Sequence, residues 1–582
     1  MKNQRLLIKS FWGLMVVFFT AQSFYYFHYQ KNTTTSAVIL YKGTVKKAVV
    51  CGFVYNGTDS IPDIPALKGW GNYQWKITTA SDSAQFYFNQ GISMYYGFHS
   101  IEAIASFIKA TRFDPDCAMA WYGKSLAMGP TINYPNGYVP PVDAYEASEK
   151  SKQLSTNCTP LEKDLIAAML HRYSKDTTLT VKQLRTNYAS AMQVVYSKHP
   201  KNAEVLTLYA DALLLLHPWD LYTHDFKPKP WTPQIRALLE QAIAIYPKHP
   251  GANHFYIHTM EASATPQMAL KSAHILDTLM PLVSHITHMP SHIYIRTGNY
   301  EQGIANNTAA VAGYDTYLKQ YSPVANGDIL YKIHNIHLKV NCAQMAGNYQ
   351  TALAAADDAK AALPPYYLAA KGADGNFFQY VYMQPVLTAV RFGKWDDILD
   401  AKPVGSLVYA SVLLHFSKGL AWCGKDNTTN ARHELKLLET KMQDPSLKAP
   451  IDNFSSAHES AGVASLILQG SIASTEKKYT EAINILQKAV TAEDHLIYNE
   501  PRDWPLPARH YLGNALLKAG RYNEAITVLN KDLVINPNNG WALTGLQLAY
   551  QNTSNATALN KVKQQLKTAW KIKDVEIDKP VF

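Results

Sequence analysis

The sequence predicts an all-α fold, an α-solenoid of stacked helix-turn-helix pairs with inserted loops, and three observations predict it. Between the turn signals the segments are long, Ala/Leu-rich and free of strand-period alternation once past residue 80. A small residue, a bulky one and a proline recur at fixed offsets: Gly91, Ala103, Phe107, Ala110 and Pro115, then Gly513, Ala525, Leu529 and Pro537. Short turns open one helix after another, as Gly298-Asn-Tyr300, Gly347-Asn-Tyr349 and Gly520-Arg-Tyr522, with Lys478-Tyr479 and Gly393-Lys-Trp395 as weaker copies. With 582 residues, 47% hydrophobic and 17% charged, the chain can bury several such pairs and is not disordered in composition.

The elements follow in chain order. Residues 1–23 read as a signal peptide or membrane anchor, because Lys2, Arg5 and Lys9 precede the apolar run from Phe11 to Ala21. Ala21-Gln22-Ser23 offers small residues for cleavage, while apolar character resumes at Phe24–Phe27, so an uncleaved anchor over residues 10–29 stays open. Either outcome predicts an exported, periplasmic or otherwise extracytoplasmic protein. Residues 24–80, rich in Thr, Gly, Val and Tyr, read as an extended leader. Helices are expected from Asp82 onward: an N-terminal group over 81–245, a histidine-rich group over 246–345 and a C-terminal group over 346–582. Pro130–Val142 and His217–Pro233 read as insertions, which in solenoids collect on one face and carry ligands.

The recurring small, bulky and proline positions resemble the tetratricopeptide repeat. In such a pair the small residues let two helices approach, the bulky residue fills the groove between them, and the proline ends the second helix. One pair cannot bury its own apolar face, so several must stack.

Composition excludes some functions. The formal charge is +10, yet the lysines are scattered singly and no Arg-rich run occurs, so no nucleic-acid partner is expected. Cys51, Cys117, Cys158, Cys342 and Cys423 lie far apart without a CxxC pair, which excludes a thiolate zinc site and a disulfide framework. No GxSxG elbow, Cys-His nucleophile signature, phosphate-binding glycine loop or dinucleotide fingerprint is present.

Twenty histidines are unevenly spread, and three groups carry the chemistry. His254 and His258 stand at i and i+4 with Glu261 at i+7, so one helical face presents two imidazoles and a carboxylate. His285, His288 and His292 flank Pro290, which is placed to open a helix whose free N–H groups could also hold an anion. His334 and His337 follow at i and i+3 around Asn335. In a helix-pair stack these three helices lie side by side, and their histidines can meet in one groove. His254, His258, His288 and His292 are the candidate metal ligands, with Glu261 as a further ligand, a carboxylate that fixes a ring, or a catalytic base. His285, His334 and His337 are additional candidates for the same ion or a second one. Imidazoles without thiolates suit copper, zinc or iron alike. A metal-free polar site and plain structural hydrogen bonding remain open beside this reading.

At these residues the chain also resembles a group of large tetratricopeptide proteins of poorly defined function. The shared motifs read here Phe88-Asn-Gln-Gly91 with Phe98-His99, Pro218-Trp-Asp-Leu221, His254-Phe-Tyr-Ile-His258 with Glu261, and His288-Met-Pro-Ser-His-Ile-Tyr294. They continue as His334-Asn335, Arg391-Phe-Gly-Lys-Trp395, Asn499-Glu-Pro-Arg-Asp-Trp504 and Gly540-Trp-Ala-Leu543. The resemblance implies the fold and a shared site but no reaction. It departs from the group at Arg502, where a second proline is usual. Tyr498, Glu500, Trp504 and Arg509 place a carboxylate, a guanidinium and two aromatics on one loop, a set suited to ligand contact. Two functions follow as expectations. One is a transition-metal protein, open to being an enzyme; the other is an exported scaffold whose concave groove binds a peptide, glycan, protein or small molecule without metal.

Overall fold

The computed structural model describes residues 61–133, 142–326, 329–450, 453–501 and 504–582, and all of these belong to one compact unit. The expected signal or anchor, residues 24–60 of the leader, most of the Pro130–Val142 insertion, and Arg502 lie outside the described residues. No described helix is long and apolar enough to cross a membrane.

The described residues form helices joined by turns, with no strand among them beyond two isolated bridges. The first pair, Asp82–Tyr96 and Ser100–Phe113, shows how the pattern works. Phe107 is fully buried and fills the groove, and a Cβ on Gly91 would lie 2.9 Å from its ring. The C-terminal copy is the same: Leu529 is fully buried, and a Cβ on Gly513 would lie 2.7 Å from it. Each second helix stops just before its proline, at Phe113 ahead of Pro115 and at Ile535 ahead of Pro537. The proline cannot donate the next backbone hydrogen bond and disfavours helix at the residue before it.

Ahead of the first helix, residues 61–80 hold no helix and are tied down by it. The Asn89 and Gln90 side chains accept the backbone N–H groups of Trp75 and Leu67, at 3.1 and 2.8 Å. That gives Phe88-Asn-Gln-Gly91 a physical role: two packing residues flank two amides that hold the leader.

The array does not stay open. The turn at Gly298 is left-handed, with φ of 76°, and a Cβ there would lie 2.2 Å from the Pro537 carbonyl oxygen. Beside it the Tyr300 hydroxyl donates to Pro537 O at 2.9 Å, and Trp541 donates from Nε1 to Gln344 O at 3.0 Å. The C-terminal repeats therefore fold back onto the central helices, and the expected groove is filled where the histidines lie. Cys117, Cys158 and Cys342 are buried free thiols and Cys423 is a half-buried one.

Phe107→Ala should destabilise the protein by about 3–5 kcal/mol, since it empties a groove lined by helix backbone that cannot collapse. Chemical denaturation monitored by circular dichroism checks this, and a loss below about 1 kcal/mol would contradict the packing role of that ring.

Candidate functional site

The site begins at the Pro250–Met260 helix, which His249 caps by accepting the Ala252 N–H on its Nδ1 at 3.1 Å. That register puts His254 and His258 on the inward face, both fully enclosed. Two short helices, Ser284–His288 and Pro290–Thr297, bring in His285, His288 and His292. They join through Met289, itself helical at φ −51°, ψ −38°. Its N–H donates to His285 O and its carbonyl accepts from His292 N–H, so the anion site expected at Pro290 is not formed. The preceding turn has already used those groups. His334 comes from the Ile329–Met345 helix.

Six imidazoles converge in two groups of three. Ligand-capable atoms of His254, His258 and His285 lie within 4.8 Å of one another, and so do those of His288, His292 and His334. His258, Glu261 and Glu500 form a third such group behind the first. The four leading candidates thus divide two and two, with His285 and His334 completing the sets. His337 is not brought in: its ring packs edge-on against Tyr380 at 5.1 Å, away from its neighbour at His334.

Backbone and side-chain acceptors orient the rings from outside. His254 donates from Nδ1 to the Tyr96 carbonyl at 2.6 Å, which turns Nε2 inward. His258 Nδ1 meets Glu261 Oε1 at 3.0 Å and Glu500 Oε1 at 3.2 Å. His292 Nδ1 lies 3.0 Å from Glu261 Oε2. His288 Nδ1 lies 2.6 Å from Asn307 Oδ1, and Asn307 donates from Nδ2 to Gly303 O, which fixes the amide's orientation. His288 and His292 face each other, Nε2 to Nε2, at 2.7 Å. His254 Nε2, His258 Nε2, His292 Nδ1 and both nitrogens of His285 have no hydrogen-bond partner among the described residues, though all are buried.

Burial, with the neighbouring imidazoles, holds His254, His285 and His288 well below the ordinary histidine value. It pushes His292 and His334 down to about 4 even though Glu500 pulls both upward. Burial opposes charge at His258 as well, but hydrogen bonds to Glu261 and Glu500 outweigh it and raise that ring to about 9. Glu500 is pushed up by burial and then by the Glu261 carboxylate.

The C-terminal loop divides between this site and a neighbouring cavity. Glu500 reaches the histidines, with Oε2 4.0 Å from His334 Nε2. Tyr498 donates its hydroxyl to Glu261 Oε2 at 3.1 Å. Trp504 is core, edge-on to Phe416 at 5.2 Å with Nε1 donating to Leu506 O. Arg509 pairs with both oxygens of Asp494 at 2.7 Å. Tyr498, Trp504 and Arg509 line a cavity of about 290 Å³ together with His224, Phe226 and Ile535.

Several residues of the site were not named as candidates from the sequence, although Phe98 and Trp219 stand in the shared motifs. Phe98, left-handed at φ 57°, lays its ring 4.4 Å from that of His254. Trp219, at φ 56°, meets His258 edge-on at 5.3 Å from the 217–231 insertion. Non-glycine residues held in that region mark sites where packing over-determines the backbone. Arg296 donates to the Glu261 and Ser263 carbonyls at 3.0 Å each, and stacks on Phe226 and Tyr498. Asn307 was findable only as a polar residue on an otherwise packed helix face.

The tetratricopeptide repeat family matches residues 463–495 and 507–539, and these windows fall on the pairs Ala457–Thr475 with Tyr479–Asp494 and Ala508–Lys518 with Tyr522–Ile535. The chain carries tetratricopeptide repeats. Repeats of this type imply an interaction scaffold. No curated protein matches the chain. Among solved structures, a human IFIT1 dimer with m7Gppp-AAAA is 13% identical over 86% of this chain and 92% of its own, with a TM-score of 0.30. Yeast Tom70 is 15% identical over 83% and 93%, with a TM-score of 0.33. The P58(IPK) TPR domain is 11% identical over 84% and 98%, with a TM-score of 0.22. Scores that low support nothing about ligands or partners.

These shifts set the pH response of the chelator-treated protein. His292 and His334, at about 4 when folded, bind fewer protons than in the unfolded chain, so stability should fall as pH drops from about 6.5 toward 4. His258 acts oppositely, its contribution complete below about 6.5 and lost as pH climbs through about 9. Denaturation midpoints across that range should show a maximum near neutrality. His334→Asn should flatten the acid limb and His258→Gln the alkaline one; unchanged limbs would contradict these assignments.

Proposed function

We propose that the buried histidines of this repeat protein bind a transition metal, copper, zinc or iron, and that the repeats serve as its scaffold. One observation carries the reading: six buried imidazoles converge in two sets of three whose ligand-capable atoms lie within 4.8 Å of one another, and several of the inward nitrogens have no hydrogen-bond partner among the described residues. His288 gives its Nδ1 proton to Asn307 Oδ1, an atom that can only accept, so its Nε2 faces His292 Nε2 with a lone pair. Burial keeps both rings neutral, His292 at about 4 and His288 well below its ordinary value. A cation at the facing Nε2 atoms would take a lone pair from each ring while the His288 Nδ1 proton stays on Asn307.

The same pattern supports His254 and His258 as ligands. Their outer nitrogens are engaged while their inner ones have no partner, as expected of metal-binding imidazoles whose far side is held by a carbonyl or carboxylate. At neutral pH the raised value of His258 means that a proton sits where the ion would, so metal binding should displace it. Export remains part of the proposal, on the charged and apolar N-terminal pattern, and cell fractionation would check it.

Elemental analysis of the purified protein should find at least one equivalent of copper, zinc or iron per chain. His292→Ala should hold markedly less while keeping its helical spectrum. A wild type that stays empty after reconstitution with each metal would overturn the proposal and leave the repeats as a scaffold with polar helix contacts.

A further inference from the structure

Resting on that metal reading, we infer that the site takes two ions side by side, each on three imidazoles. The two sets share no residue, so no single point serves all six rings: His254, His258 and His285 form one, His288, His292 and His334 the other. Within the sets the ring centroids stand 4.6–6.0 Å apart. Across them His258 to His292 is 6.1 Å and His285 to His288 is 5.9 Å, which is scarcely farther. Two ions held this way would be neighbours, in the manner of paired sites whose metals sit about 4 Å apart.

His285 separates this from a one-ion site. Both of its nitrogens are buried and have no partner among the described residues, and its ring stacks beside Phe98 at 5.5 Å. A single ion on the His288–His292 pair leaves that imidazole, with the inner nitrogens of His254 and His258, desolvated and unpaired. Each such group is desolvated with no bond in return, which is unfavourable. A second ion takes all three.

The carboxylates are arranged for a pair. Glu261 faces one ring from each set: its Oε1 bonds His258 Nδ1 at 3.0 Å, and its Oε2 lies 3.0 Å from His292 Nδ1. Glu500 likewise faces one ring from each, His258 at 3.2 Å and His334 at 4.0 Å. Two buried carboxylates against two divalent ions leave a net positive charge. Three imidazoles leave each ion short of the four donors that zinc or copper takes. The centre would therefore accept a small anionic or oxygen ligand between the ions. Tyr498, on Glu261 at one side and on the 290 Å³ cavity at the other, stands where such a ligand would enter.

Copper reconstitution of the full chain tests this. Saturation should reach two copper ions per chain by elemental analysis. The Cu(II) resonance signal should integrate to well below the copper content, because adjacent spins couple. His285→Asn and His334→Asn should each bind one ion, with the full signal of an isolated ion. One ion per saturated wild-type chain with full signal intensity would overturn the pair and leave the metal reading standing; no ion at all would overturn both. If His285→Asn does not fold, the wild-type signal alone decides.

Discussion

Glu261 joins distant parts of this molecule at the candidate site. It ends the Pro250–Met260 helix, bonds His258 through Oε1 and places Oε2 3.0 Å from His292 Nδ1 on another helix. Tyr498, far along the chain, donates to the same carboxylate, and Arg296 takes its backbone carbonyl. A carboxylate in this setting is costly to bury unless every lone pair is used. Here the donors that use them belong to the candidate site. Loss of the Glu261 side chain would free the His258 ring and the Tyr498 loop together, so the geometry of the histidines and the packing of the central helices are one constraint.

The fold was legible because its signals are local. Gly91 with Phe107 and Gly513 with Leu529 need only one helix pair to make sense, and the left-handed turns at Gly298, Gly347 and Gly520 need less. Half of the site was legible for the same reason: i and i+4 spacing puts His254 and His258 on one face in any helix. The rest depends on contacts that sequence spacing cannot express. Glu500 joins the histidines across 242 residues of separation from His258, through a loop whose composition suggested only ligand contact. The i and i+3 spacing of His334 and His337 suggested one face, but the two rings straddle the helix edge, one toward the cluster and one toward Tyr380. At Pro290 the expectation of free N–H groups failed because Met289 continues the preceding turn.

A stack of helix pairs is an unusual place to gather six imidazoles, since each pair ordinarily touches only its neighbours. Here the donors come from residues 254–261, 285–292, 334 and 500, and their outer supports from Tyr96, Asn307 and Tyr498. Such a set holds only if distant repeats are pinned together. Tyr300 on Pro537, Arg296 on Ile535 and Trp541 on Gln344 supply those pins, and each crosses from the histidine-bearing region to the C-terminal repeats.

Those repeats thus have a second use. The loop that carries Tyr498 and Glu500 lies between the two windows that match the repeat family, 463–495 and 507–539. Two rigid pairs anchor its ends, and the fold-back presses it against the histidines. A site needs its side chains fixed to within a fraction of an ångström, and loops alone rarely give that. Placing the carboxylate on a short connection between two packed pairs gives a loop residue the positional precision of a helix. Regular repeats on either side are therefore what makes an irregular, closed site affordable at their centre.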